Sequence, residues 1–501
     1  MPFYVTTPIY YVNAAPHLGH AYTTIAADVM ARHHRQREED VFFLTGTDEH
    51  GEPVADAAHA LGVAPQELAD RNAERFRALA PQLDATNDFF IRTTDREHEQ
   101  RVQEVLSLVR ENGFVYEGTY EGWYCPRCAD FKPDNEIEAG NRCPIHHIEL
   151  TRESEDNYFF QLSAFQSQLE ALYAEREDFV APRTRYNEAL SFIRSGLRDV
   201  PLTRHKLTWG VPVPWDSEHV FYVWFDALLN YYTALSYARE GDDLTPVFWP
   251  PSYHLIAKDI LRFHAVYWPA LLMAAGLELP RHIFVHGYLL LDGEKMSKSL
   301  GNVLDPFAVI DRFGSDALRF YLLRDVPFGQ DGSVSTTSFE LRYETELAND
   351  LGNLASRAIA MIERYRDGVL PPGDLDAELA ADFEGLTERV REHLDRAELT
   401  LALDEIWQRV RRMNRYVEER APWQLAREEQ AAEQLDEVLR SLAEGLRTLA
   451  VLLWAYLPAA SERLLAALGS PDVSLARAGL GRGTEPVSRV SALEPLFPKD
   501  R

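Results

Sequence analysis

A chain of 501 residues is too long for one ordinary core, so two or three domains of about 100–200 residues are expected. With 46% apolar and 26% charged residues it has the make-up of a folded soluble protein, and no stretch reaches the ~20 apolar residues that a membrane span needs. A net charge of −28, from 51 Lys+Arg against 79 Asp+Glu, excludes a general nucleic-acid binder but leaves room for a local basic face, because screening confines surface fields to about 8–10 Å.

The start, Met1-Pro2-Phe3-Tyr4, has no basic region before an apolar run. No secretory signal is expected, and the cytoplasm is the expected location. Phe3–Thr7 reads as a strand, Leu18–Arg35 as a helix and Val41–Thr45 as a second strand. Helices over Pro65–Leu83 and Arg96–Asn112 follow. That alternation predicts βαβ units and a parallel sheet. From Gly113 to about Ser217 the pattern changes to short aromatic-rich segments with turn residues, and it reverts near His219. Tyr253–Ala257 and His282–Val285 read as buried strands around a helix over Asp259–Ala275. A sheet interrupted by an inserted domain is therefore expected. After Ser338 only helical periodicity remains, over Leu341–Arg364, Leu401–Arg420 and Glu433–Tyr456. An antiparallel bundle fits it, with Pro371-Pro372-Gly373 as the loop between the first two helices. The last ~30 residues read as loosely structured.

Three groups of residues carry chemistry. Pro16-His17-Leu18-Gly19-His20 sits between a strand and a helix. His17 and His20 are one turn apart, at a helix start whose backbone N–H groups attract phosphate. Gly19 is expected to let a nucleotide approach the backbone closely. Lys295-Met296-Ser297-Lys298-Ser299 is the second group. Only six of the 51 cations are lysines, so two of them within four positions mark a need for compact ammonium groups, as in a loop closing on a triphosphate. The third is Cys125-Pro126-Arg127-Cys128, followed after 14 residues by Cys143-Pro144-Ile145-His146. Two tight turns at that spacing suit one tetrahedral zinc with a structural role; His146 is the expected fourth ligand and His147 the alternative.

The first two groups resemble the paired signatures of class I aminoacyl-tRNA synthetases, "HIGH" with Leu18 in place of Ile and "KMSKS" unchanged, about 275 residues apart across an insertion. The resemblance covers essentially the whole chain and is closest to the methionyl-tRNA synthetases. It is carried further by Val5–Asn13, Thr45–Gly51, Tyr222–Ala227, Ala257–Ile260 and His286–Tyr288. The insertion is too short for the large editing domain of the valyl, isoleucyl or leucyl enzymes.

This resemblance implies a Rossmann-type α/β fold with a zinc-containing insertion, followed by an α-helical bundle. Its parts would be residues 1–112 (first catalytic half), 113–217 (insertion), 218–290 (second half), 291–337 (mobile KMSKS loop and connecting domain) and 338–501 (anticodon-binding bundle). It implies that His17, Gly19, His20, Lys295, Ser297 and Lys298 bind ATP, with His17, His20, Lys295 and Lys298 assisting catalysis. Ile9, Tyr11, Asp48, Trp224, Ala227, Tyr231, Asp259, Ile260 and His264 would bind methionine, with a Tyr hydroxyl or His N–H touching the sulfur. Arg204 would help activation. Asn353, Arg357 and Trp423 would read the anticodon of tRNA(Met), initiator tRNA included. Mg²⁺ would accompany ATP. The chain stops near the bundle, so a monomer is expected. A small-molecule nucleotidylyltransferase would not need the bundle with Trp423. A zinc-containing RNA-binding protein would not need Lys295–Ser299.

Overall fold

The computed structural model describes residues 2–126, 130–132, 134, 137–145, 147–205, 207–291, 305–370, 372–480 and 487–499. Lys295, Ser297, Lys298, Cys128 and His146 lie outside the described residues, as does Pro371 of the bundle loop.

Seven short strands form a parallel sheet: β1 (Phe3–Thr6), β2 (Tyr10–Tyr11), β3 (Val41–Asp48), β4 (Phe89–Arg92), β5 (Val180–Ala181), β6 (Tyr253–Ala257) and β7 (His282–His286). β1 lies between β3 and β6; β7 follows β6, and β5 closes that edge. The chain leaves β1 toward β3 on one side and later returns to β6 on the other. The C-terminal ends of β1 and β6 therefore flank a switch point, where an open α/β sheet leaves a crevice for a ligand.

Both faces of the sheet are covered, so its strands read as apolar runs rather than alternating ones. Val5 and Leu255 face one core, which continues through Ile25 and Met30 of the Leu18–Gln36 helix to Trp407 and Leu446 in the bundle. Tyr4 and Ile256, the alternate positions, face a second core with Leu229 and Trp268. The Leu18–Gln36 helix is also bolted by polar bonds. Gln36 Nε2 donates to Val451 O and Val473 O, both at 2.8 Å. The fully buried Arg319 donates to Asp28 at 2.8 Å and to Tyr456 O at 2.9 Å. The helix that begins at the crevice is thus fixed to the C-terminal helices of the chain and the segments beside them.

The inserted segment forms its own antiparallel sheet from Val115–Cys125, Asp130–Lys132, Thr151–Phe160 and Val200–Pro201. It is not wholly separate from the catalytic half. Val180 and Ala181, expected in the insertion, pair with Ile283 and Phe284 as the last strand of the main sheet, and Val180 is buried there. Helices follow from Thr336 onward. The helix expected over Leu341–Arg364 is one rod of three parts, α-helical over Thr336–Arg342, π-helical over Tyr343–Gly352 and α-helical over Asn353–Arg366. The final described residues carry little regular structure, yet Val487, Val490, Leu496 and Phe497 are buried in the bundle core. Their burial corrects the expectation of a loose tail. Among the described residues no helix is long and apolar enough to cross a membrane.

Candidate active site

A cleft of about 1030 Å³ opens at the switch point. It is built from the residues that follow the strand ends: Ile9 and Tyr11 after β1, Asp48 at the end of β3, Asp259 and Ile260 after β6, and His286 to Tyr288 at β7. The Leu18–Gln36 helix brings His17, Gly19 and His20 to the same cleft.

The two histidines form their own helix cap. His17 Nδ1 accepts from the Gly19 N–H at 3.1 Å, and His20 Nδ1 accepts from the His17 N–H at 3.1 Å. Burial holds both imidazoles below the ordinary histidine range, and the neighbouring His17 lowers His20 further. Two neutral rings that each accept at Nδ1 carry their proton at Nε2. Each ring of the pair therefore keeps an N–H donor at Nε2. The rings stack with centroids 3.7 Å apart, and Tyr10 and Phe76 pack against His20. Gly19 lines the cleft and also makes room for the cap. A Cβ there would meet the His17 ring at 3.0 Å, so glycine permits the close approach of the capping imidazole.

The nine side chains expected to bind methionine all line this cleft. Trp224 stacks flat on Phe263, with centroids 3.7 Å apart, and Tyr11 stands edge-on to Trp224 at 6.1 Å. Phe263 opens a π-helical turn, Phe263–Tyr267, inside the region expected as a plain helix. Such turns re-aim side chains at functional sites. Tyr231 and His264 meet at 2.7 Å between the hydroxyl and Nε2, and His264 Nδ1 lies 3.1 Å from Ile260 O. A carbonyl only accepts, so Nδ1 bears the proton and Tyr231 donates to Nε2. Burial pushes His264 down to about 4, which keeps it neutral. Both of these donor protons are committed within the protein.

Asp48 is buried, and its Oδ1 has no hydrogen-bond partner among the described residues. Burial pushes its carboxyl well above the usual range; Asp226 adds to this and His50 opposes it. A buried acceptor of that kind fits a cationic ligand group.

The family model described as tRNA synthetases class I (M) matches residues 3–155 and 141–359. The methionine–tRNA ligase of Caldanaerobacter subterraneus is 44% identical over 99% of this chain and 78% of its own length. That of Streptomyces coelicolor is 46% identical over 93% of this chain and 90% of its own length. Among solved structures, Mycobacterium tuberculosis methionyl-tRNA synthetase in complex with methionyl-adenylate is similar with a TM-score of 0.93 and 43% identity, covering 99% of both chains. The chain belongs to the methionyl-tRNA synthetases.

Not every residue implied by that family reaches the cleft of this synthetase. Arg204 is not among the lining residues: it is buried, paired with Glu155 at 3.0 Å, and lies over the Tyr124 ring at 4.4 Å. In the bundle, Asn353 and Arg357 are exposed one helical turn apart. Arg357 pairs with Glu418 at 2.8 Å, and its guanidinium is 5.9 Å from the half-buried Trp423 ring. In the insertion, Cys125 ends a strand and Cys143 sits in a turn closed by His147 N–H to Cys143 O at 2.8 Å. Both thiols are fully buried beside Leu150. His147 is exposed and hydrogen-bonded to Glu138 at 2.9 Å.

Sequence reasoning missed several neighbours of the site. Lys132, Pro144 and Ile145 of the insertion line the cleft, so the inserted domain forms part of its wall. Phe263 lines the cleft and backs Trp224, a pairing that no local spacing marks. His50, His98 and Asp226 form a buried cluster behind Asp48. One signal existed for it: Asp226 is the lone carboxylate of the apolar Val223–Thr233 helix, and a buried charge needs partners.

Proposed function

We propose how the residues of this synthetase divide its work. The overall reaction follows from the family: methionine and ATP give methionyl-adenylate and pyrophosphate, and the methionyl group then passes to the 3′ end of tRNA with release of AMP. In the first step the methionine carboxylate attacks the α-phosphorus and the bond to pyrophosphate breaks. The substrate is its own nucleophile, so catalysis is positioning and charge stabilisation. Asp48 receives the methionine ammonium, and Trp224, Tyr231 and His264 enclose the thioether, whose polarizable sulfur packs well on aromatic rings. His17 and His20 donate Nε2–H to α-phosphate oxygens. Lys295 and Lys298 draw in the β- and γ-phosphates. Mg²⁺, held mainly by phosphate oxygens and water, would neutralise charge on the triphosphate. The observation that carries this reading is the cleft that joins the buried Asp48, the aromatic pocket and the histidine cap in one volume.

We assign Asn353, Arg357 and Trp423 to the anticodon, because exposed hydrogen-bonding groups beside a half-exposed indole suit unpaired bases. Trp423→Ala tests it. Charging of tRNA(Met) should weaken about tenfold to a hundredfold, the loss of one base stack of ~1–3 kcal/mol, while methionine-dependent pyrophosphate exchange stays normal. If Trp423 is mainly core, stability should fall by ~3–5 kcal/mol instead. Unchanged charging by a stably folded variant would overturn the assignment.

Cys125, Cys128, Cys143 and His146 would hold one zinc. Two buried thiols brought together from a strand end and a turn suit a soft-ligand metal, and the outward, Glu138-paired His147 supports His146 as fourth ligand. The ion would order a segment too small for a core of its own. Elemental analysis of protein purified without chelators should return one zinc per chain. Much less than one, with readily titrated thiols, would overturn it.

A further inference from the structure

Directly behind Asp48, outside the cleft lining, three secondary elements that also share an apolar core are tied together by buried polar bonds. Asp226 Oδ2 accepts from His50 Nδ1 at 2.7 Å, and its Oδ1 accepts from His98 Nε2 at 2.7 Å. The other ring nitrogen of His98 faces Thr233 Oγ1 at 2.7 Å. Each of the four residues is at most 2% exposed. His50 lies two residues past Asp48, at the end of β3. Asp226 and Thr233 belong to the Val223–Thr233 helix, which supplies Trp224, Ala227 and Tyr231 to the cleft. His98 stands on the Arg96–Glu111 helix that packs against it.

A buried charged cluster is a poor choice for stability alone, since apolar residues of similar volume usually serve as well or better. Directional bonds do what apolar packing does poorly: they fix one register between two elements. Here those elements carry the two ends of a single binding site, the ammonium acceptor and the wall of the side-chain pocket. We infer that the His50–Asp226–His98–Thr233 chain is a positioning device, which sets the distance between Asp48 and the Trp224–Tyr231 wall and so controls methionine affinity without acting on ATP. This inference rests on the reading of the cleft as the methionine site.

Thr233→Val tests it, because valine keeps the shape of threonine and removes only the hydroxyl that holds His98. In pyrophosphate exchange the KM for methionine should rise about fivefold, the equivalent of one ordinary buried hydrogen bond, with the KM for ATP unchanged. Thr233→Ser, which restores the hydroxyl, should return the methionine KM toward the original value. Asp226→Asn, which keeps shape but removes the charge, should show the larger rise of the same kind. Melting temperatures are measured on each variant. A folded Thr233→Val protein with an unchanged methionine KM, or with both KM values raised together, would overturn the inference. A lowered melting temperature with both KM values intact would also overturn it, leaving a merely structural role. Failure of the unaltered chain to exchange pyrophosphate with methionine would instead defeat the underlying reading of the cleft.

Discussion

Asp48→Asn is expected to raise the KM for methionine by roughly thirtyfold to several-thousandfold, the ~2–5 kcal/mol typical of removing one partner of a buried hydrogen-bonded charge pair. The side chain keeps its shape, so folding and the KM for ATP should change little. The pH dependence supplies an independent sign. Burial, with Asp226 nearby, pushes the Asp48 carboxyl well above the usual carboxylate range. Only its ionised form attracts an ammonium. Methionine affinity should therefore increase as pH rises through that elevated value, with one proton released on binding below it, and level off above. The Asn variant should lose this slope together with the affinity. Calorimetric titration at several pH values measures both. A variant with near-normal affinity and the same slope would remove Asp48 from the ammonium site.

Lys298→Ala should act on rate instead. A phosphate contact strengthened in the transition state contributes to the chemical step more than to ground-state binding. Adenylate formation should slow by roughly a hundred- to a thousandfold, comparable to the loss of one preorganised donor at a developing anion. Methionine Kd should stay near normal. Single-turnover kinetics under saturating methionine and ATP separate the two. An unchanged activation rate would leave the Lys295–Ser299 segment without a part in activation.

The parts of this architecture legible in the sequence are those written in consecutive residues. Long helices such as Leu18–Gln36 and Leu399–Arg420 announce themselves by periodicity, and β1, β3, β6 and β7 by compact apolar runs. The Glu52–Leu61 helix, with its starting Gly51 and Pro53, and the four-residue β4 were not read, because short elements give too few periods to count. Val180–Ala181 is shorter still, and only its pairing with Ile283 and Phe284 identifies it as part of the main sheet. The cleft residues were legible through resemblance more than pattern. Nothing in local spacing says that Ile9, Asp48, Trp224 and His264, spread over more than half the chain, share one volume. Hydrogen-bond direction was beyond reach altogether. That Tyr231 gives its proton to His264, that His17 caps its own helix over Gly19, and that His98 reaches Asp226 depend on geometry between separate elements. Arg204 illustrates the converse: a matching position in sequence lies in an ion pair with Glu155, away from the cleft lining.

In the function proposed for this synthetase, one cleft joins methionine to the α-phosphate of ATP. The most direct test is isotope exchange between pyrophosphate and ATP catalysed by the unaltered chain in the absence of tRNA. Exchange should appear on addition of methionine and should not appear with leucine or valine. Exchange independent of methionine, or supported equally by those amino acids, would contradict the account.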